Sequence, residues 1–256
     1  MIDRGSGPVV VLIPGVQGRW EWMAPTVEAL ARRCRVLTFS LAADPAEALA
    51  QVDAALDHAG VNAAAICGVS LGGMIALHYA ASRPARVSAL VLASTPGPAW
   101  EPDRIQAFCA RYGSVTAPVF VGAAMVRMWP ELLRARGGWL RALPAIGRQG
   151  LRVLAHPASP GGMRRRLAWW LAIDRAADAR RVQAPALVLA GDDALDRVVP
   201  ASGTREYASY IRGARFMTIE NTGHVGVITR PDRFAEIVSE FVKEKRGTVP
   251  LPDAAP

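Results

Sequence analysis

A serine set between two glycines, each separated from it by one residue, is the strongest chemical signal in this 256-residue chain. It stands in ICGVSLGGMIALHYA (66–80), where an apolar run leads into Gly68-Val69-Ser70-Leu71-Gly72 and a helix-forming run follows. That spacing fits a sharp strand-to-helix turn. A side chain at either glycine would clash as the backbone folds tightly, and the hydroxyl is left exposed at the start of a helix. A serine hydroxyl is a weak nucleophile at neutral pH and needs a base, most often histidine. The chain offers His58, His78, His156 and His224. The first three fall within helical patterns or a central helical region and read as structural. His224, in NTGHVG, lies between the last predicted strand and the last predicted helix. The imidazole needs an acid to fix its tautomer and stabilise its charged form. LAGDDALDRVVP (189–200) places three acids in five positions: Asp192, Asp193 and Asp196.

Elements of the right kind surround these residues. The runs VVVLI (9–13), RVLTF (35–39), AAAICGV (63–69), VSALVLA (87–93), ALVLA (186–190) and RFMTI (215–219) are short and almost uninterrupted. Unbroken apolar strands indicate burial on both faces, as in a parallel sheet. Helical patterns at about 22–33, 45–59, 71–82, 203–211 and 231–244 alternate with them, which predicts βαβ units and an α/β, doubly wound, mostly parallel sheet. Residues from about 97 to 180 break the alternation. They hold no convincing strand and read as short helices in RIQAFCARY, AAMVRMWPELLRA, LRALPAIGRQGLRVLA and GMRRRLAWWLAIDRAA. The expected organisation is a core of residues 1–96 and 185–245, a helical cap at 97–184 inserted between two strands, and a flexible tail at 246–256.

On PGVQG, GVSLGG, GDDALDRVVP and TGHVGVITRPDRF, in that order, the chain resembles the α/β-hydrolase superfamily, of the type that carries a helical cap. The resemblance covers nearly the whole chain and implies the order nucleophile, acid, histidine, with Ser70, Asp196 and His224 in those roles. The family's acid commonly precedes a Val-Pro or similar pair, and DRVVP puts Asp196 four residues before Pro200. Counted forward from Gly191, the usual step lands on Ala194, so the loop carries a short insertion and Asp193 stays the alternative. Asp192 is expected to cap the turn or face solvent. The resemblance also implies an oxyanion hole made by the backbone amides of Val16 and Leu71, and one such donor is typically worth ~10²–10³ in rate. Gln17 could add a side-chain donor. Three features depart from the pattern. Pro14-Gly15 stands where most relatives have His-Gly, and TFSLAADPAEALA (38–50) lacks the usual Arg-Gly-His-Gly turn. Only eight residues precede VVVLI, so the sheet is expected to be shortened at its N-terminal edge by one or two strands.

What this implies is a serine hydrolase cleaving a small carboxylic ester or lactone through an acyl-enzyme, with no cofactor and a small molecule as its partner. GVSLGGMIALHYA is similar to enol-lactone hydrolases. Carbon–carbon bond hydrolysis, acyl transfer or perhydrolysis on the same residues stay open, as does a ligand-binding protein on this fold. Dehalogenase and epoxide-hydrolase chemistry is disfavoured, because relatives doing it carry aspartate at the position of Ser70.

Composition narrows the other classes. The formal charge is +8, but 14 arginines and 5 acids fall within 97–184, leaving the rest of the chain close to neutral. A basic excess confined to one segment, without a recognisable reading module, argues against nucleic-acid binding. It leaves open an acidic partner or an anionic membrane surface. Arg164-Arg165-Arg166 reads as a solvated helix face. The tryptophans at 100, 129, 139, 169 and 170 are expected mainly to pack the cap onto the sheet domain. Cys34, Cys67 and Cys109 are odd in number and widely spaced, which suggests reduced thiols in the cytoplasm rather than disulfides or a zinc site. No apolar run reaches the length of a membrane span, and the first residues lack the apolar core of a signal peptide.

Overall fold

The apolar runs become the centre of a seven-stranded sheet in the computed structural model, which describes residues 1–104, 107, 126–134 and 139–246. The strands are β1 (Ile2–Arg4), β2 (Val9–Ile13), β3 (Arg35–Thr38), β4 (Ala64–Val69), β5 (Val87–Ala93), β6 (Ala186–Ala190) and β7 (Arg215–Thr218). Their spatial order is β1-β3-β2-β4-β5-β6-β7. All neighbouring pairs are parallel except β1 with β3. The sequence reading has no strand at β1. It is only three residues long and partly exposed, so no apolar run marks it, yet it covers the outer edge of β3 in the register Ile2 opposite Thr38.

The helices follow as α1 (Ala24–Ala31), α2 (Pro45–Ala59), α3 (Leu71–Ser82), α4 (Trp139–Ala155), α5 (Pro160–Leu171), α6 (Arg175–Arg181), α7 (Ala201–Tyr210), α8 (Gly226–Thr229) and α9 (Pro231–Arg246). Their ends carry the expected chemistry. Asp44 caps α2 by accepting from the amides of Ala46 and Glu47, Pro45 opens the helix, and Gly60 closes it at φ +68°; these are the residues that satisfy orphan amides and turn the chain at a helix end.

Alternate strand residues face opposite ways. Val11 and Ile13 join a core under α2, α3 and α7, while Val10 and Leu12 join one under α1 and α9. Each such fully buried side chain stabilises the fold by roughly 1.5–3 kcal/mol. The connection from β2 to β3 runs toward one edge of the sheet, and the next strand, β4, lies on the other side of β2. This reversal opens a crevice at the C-terminal ends of β2 and β4, where open α/β sheets bind ligands.

Between β5 and β6 the described helical stretches are 126–134, α4, α5 and α6. Trp170 is fully buried against the α2–α3 side of the core, with Trp169 and Trp100 packed partly against it, whereas Trp129 is 43% exposed. The helix expected around 104–112, Cys109, the side chain of Trp139 and the tail lie outside the described residues. Among the described residues no helix is long and apolar enough to cross a membrane.

Candidate active site

Ser70 sits at the turn between β4 and α3 with φ 55° and ψ −125°, a conformation that L-residues avoid without support. Support comes from both sides: its N–H donates to the Ala93 carbonyl at 2.8 Å, and its carbonyl accepts from Gly73 N–H at 2.8 Å. The flanking glycines are steric requirements. A Cβ on Gly68 would lie 2.2 Å from the Gly72 carbonyl oxygen, and one on Gly72 would lie 2.4 Å from that of Ile13. The second contact shows how closely the turn presses on the end of β2.

His224 enters from the loop after β7. Its Nε2 lies 3.0 Å from Ser70 Oγ, and its Nδ1 lies 3.3 Å from Asp196 Oδ2. The first is an ordinary hydrogen-bond distance; the second is long for one. Asp196 is 6% exposed, and its Oδ1 accepts from the amides of Val198 and Val199 at 3.0 and 2.9 Å, which fixes the carboxylate. Burial works to lower the His224 pKa, but the charge of Asp196, its hydrogen bond and the charge of Glu131 outweigh it and raise the imidazole above its ordinary value.

The three aspartates have separate positions. Asp193 accepts from Ser202 N–H at the start of α7, and Asp192 accepts from Asn221 N–H, so Asp192 braces the loop before His224 instead of facing solvent. The remaining histidines have partners elsewhere: His78 with Asp178 at 2.7 Å, His58 with Asp3 at 3.4 Å and His156 with Glu21 at 3.7 Å.

The loop after β2 forms the opposite wall. A Cβ on Gly15 would come within 3.4 Å of Ser70 Cβ and 2.9 Å of Gln17 Oε1, so this loop and the Gln17 amide lie beside the serine. Leu71 opens α3, and its N–H belongs to the first helical turn, whose amides lack intrahelical acceptors. Val16, the other expected donor, is held by its carbonyl. Arg166 Nε donates to Val16 O at 3.0 Å, while Nη1 donates to Leu41 O and Ala42 O at 3.1 and 3.2 Å.

Arg166 corrects the reading of 164–166 as a solvated face. Arg164 and Arg165 are exposed, but Arg166 is 4% exposed, and burial together with the charge of Arg165 lowers its pKa to about 10. The sequence did carry a signal: Gly162, Arg166 and Trp170 recur every four residues and form the buried face of α5.

A second residue that the sequence reading missed is Glu131. It is fully buried in the helical segment 126–134, and its Oε2 accepts from Val225 N–H at 3.0 Å. Its signal was isolation, since it is the only acid from 104 to 173, a stretch with 11 arginines. Among the described residues no cluster of His, Cys, Asp or Glu is arranged to hold a metal ion.

The model of the alpha/beta hydrolase family matches residues 10–237, most of the chain. The chain belongs to that family. A pimeloyl-(acyl-carrier protein) methyl ester esterase of Xanthomonas campestris pv. campestris is 30% identical over 259 residues, covering 93% of this chain and 96% of that protein. A hydrolase from Pseudomonas aeruginosa PA01 of known structure is 26% identical, with a TM-score of 0.73 over 94% of this chain and 92% of that one. The enol-lactonase from Burkholderia xenovorans LB400, 20% identical, shares the fold with a TM-score of 0.77 over 94% and 95% of the two chains. With esterases and hydrolases matching it from end to end, this α/β hydrolase is an enzyme.

Proposed function

We propose that this α/β hydrolase cleaves a small carboxylic ester or lactone through an acyl-enzyme on Ser70. The observation that carries the reading is the 3.0 Å approach of His224 Nε2 to Ser70 Oγ. Asp196, at the other ring nitrogen, favours the tautomer with its proton on Nδ1, which leaves the Nε2 lone pair toward the serine.

In the first half-reaction His224 takes the hydroxyl proton while Ser70 Oγ attacks the carbonyl carbon. The oxyanion that forms is stabilised by the amides of Val16 and Leu71. As the tetrahedral species collapses, the bond to the alcohol oxygen breaks and the imidazolium gives that oxygen its proton. In the second half-reaction His224 removes a proton from water, the oxygen attacks the acyl carbon, and Ser70 leaves with the proton returned. Asp196 stays ionised throughout and stabilises the imidazolium. Every proton is carried by the enzyme's own residues and water. An ester or lactone suits this chemistry because its leaving oxygen needs only one proton, and the full-length esterase relative supports the substrate class.

The test is turnover of p-nitrophenyl esters from acetate to decanoate and of simple lactones by wild type and S70A, beside labelling of Ser70 by a fluorophosphonate. The expected result is turnover and labelling that both vanish in S70A, with the chain-length profile sizing the acyl site. A wild-type enzyme that neither turns over nor labels would overturn the proposal. Labelling without turnover would retain the nucleophile and discard the substrate class.

A further inference from the structure

A carboxylate with no exposed surface stands one residue away from the base. Glu131, contributed by the insertion, accepts from Val225 N–H at 3.0 Å and faces the Thr229 hydroxyl at 3.4 Å. Both partners belong to the segment that carries His224, although 94 residues separate Glu131 from Val225. We propose that Glu131 is a positioning residue for His224, fixing the peptide that follows the base and adding a second negative charge that the imidazolium faces. The inference rests on the serine hydrolase reading and deepens it.

Two arguments carry it. The first is geometric. His224 must keep Nε2 on Ser70 and Nδ1 on Asp196 together, so its backbone has little freedom to shift. A buried acceptor on the next amide removes that freedom from the side of the insertion. The second is chemical. A glutamine would accept the same N–H without the cost of burying a charge. A carboxylate gains over glutamine through a second acceptor oxygen, which faces the Thr229 hydroxyl, and through what its charge faces. The charges bearing on Glu131 are those of His224 and Asp196, and those bearing on His224 are Asp196, from the loop after β6, and Glu131. Burial, with the charge of Asp196, leaves the Glu131 carboxyl above its ordinary value, although the Val225 and Gly223 amides and the His224 charge work to lower it. The arrangement links docking of the insertion to the position of the base.

The experiment compares wild type, E131A and E131Q by pH profiles of kcat and kcat/KM on the best p-nitrophenyl ester. It also measures the rate of Ser70 phosphonylation by a fluorophosphonate and the thermal melting of each protein. E131A is expected to lose roughly ten- to a hundred-fold in kcat and in phosphonylation rate, with KM little changed, since a small displacement of a reacting group costs this much. E131Q keeps the acceptor and is expected to recover most of the plateau rate. Its acid limb is expected to move to lower pH, because removing the negative charge favours neutral imidazole. Wild-type rates in a folded E131A overturn the inference, and so does an E131Q as slow as E131A. An unmoved acid limb in E131Q overturns its electrostatic half. If wild-type Ser70 does not react with the phosphonate, the hydrolase reading fails first. If wild type reacts and E131A matches it, only the role of Glu131 fails.

Discussion

Two loops flank Ser70, and the insertion grips them with opposite charges. The loop after β2 is held through the Val16 carbonyl by Arg166, which also donates to Leu41 O in the loop after β3, and the loop after β7 is held through an amide by Glu131. Both side chains are buried and belong to the helical segment between β5 and β6. The sign of each charge follows from the backbone group it meets. A strand end presenting C=O groups needs a donor, and a guanidinium offers several in a rigid fork. A loop presenting an N–H needs an acceptor. Arg166 is desolvated among carbonyls, and the charge bearing on it is that of Arg165, not a carboxylate. Glu131, by contrast, faces a titrating imidazole. On the proposed mechanism the two walls have different work: one shapes a site for negative charge, and the other holds and tunes the base.

The largest expected difference between the walls comes from breaking each at its centre. D196N preserves shape but favours the wrong imidazole tautomer, and kcat is expected to fall about ten-thousand-fold. On the other wall, R166M frees the Val16 carbonyl without removing the Val16 amide. The expected loss is only roughly ten- to a hundred-fold in kcat, below the full value of an oxyanion donor. R166K is expected to recover little of it, since an ammonium cannot fork across Val16, Leu41 and Ala42 as the guanidinium does. Steady-state kinetics on one ester, with melting curves to confirm folding, checks all three variants. An R166M enzyme as slow as D196N would mean that the two walls do not divide the work in this way.

The comparison becomes sharper within the acid cluster, where a smaller effect is expected. D193N alters a carboxylate that accepts from Ser202 N–H in the first turn of α7, whereas the carboxylate at His224 Nδ1 is that of Asp196. Asparagine keeps an acceptor for this amide, so kcat should stay at wild type, while D193A should lose about 0.5–1.5 kcal/mol of stability by denaturant unfolding. A large kcat loss in folded D193N would reverse the assignment of the acid to Asp196.

What could be read from the sequence divides along the same line. The strands at 9–13, 87–93 and 186–190 and the helices at 45–59 and 71–82 have the bounds their patterns predict, because buried parallel strands and capped helices leave local signatures. Ser70, Asp196 and His224 are brought together by loops at strand ends, and their spacing around Gly68-Val69-Ser70-Leu71-Gly72, DRVVP and NTGHVG marked them out. Glu131 and Arg166 left only weak signals, the isolation of one acid and a four-residue recurrence with Gly162 and Trp170, and neither says what the side chain meets once buried. Their role depends on contacts across 94 and 150 residues. The three-residue β1 escaped for a related reason: it gains its place from pairing with β3 and not from an apolar run of its own.

The smallest effect is the most discriminating, because it separates the walls by charge and not by rate. On the proposed mechanism neutral His224 is the base, so kcat/KM should rise with pH through the imidazole pKa, which is raised above its ordinary value because the negative groups beside it outweigh burial. Glu131 is among those groups and Arg166 is not. Removing the Glu131 charge makes the imidazolium less stable, lowers the pKa and moves the acid limb to lower pH. Removing the Arg166 charge should leave the limb where it is, even while kcat falls. The sign is fixed: a shift to higher pH in E131Q would contradict a stabilising negative charge beside the imidazolium. Paired pH profiles of E131Q and R166M on one substrate therefore ask whether the insertion acts on the base and on the oxyanion wall by separate routes. A common shift in both variants would mean that it acts on them as one rigid body.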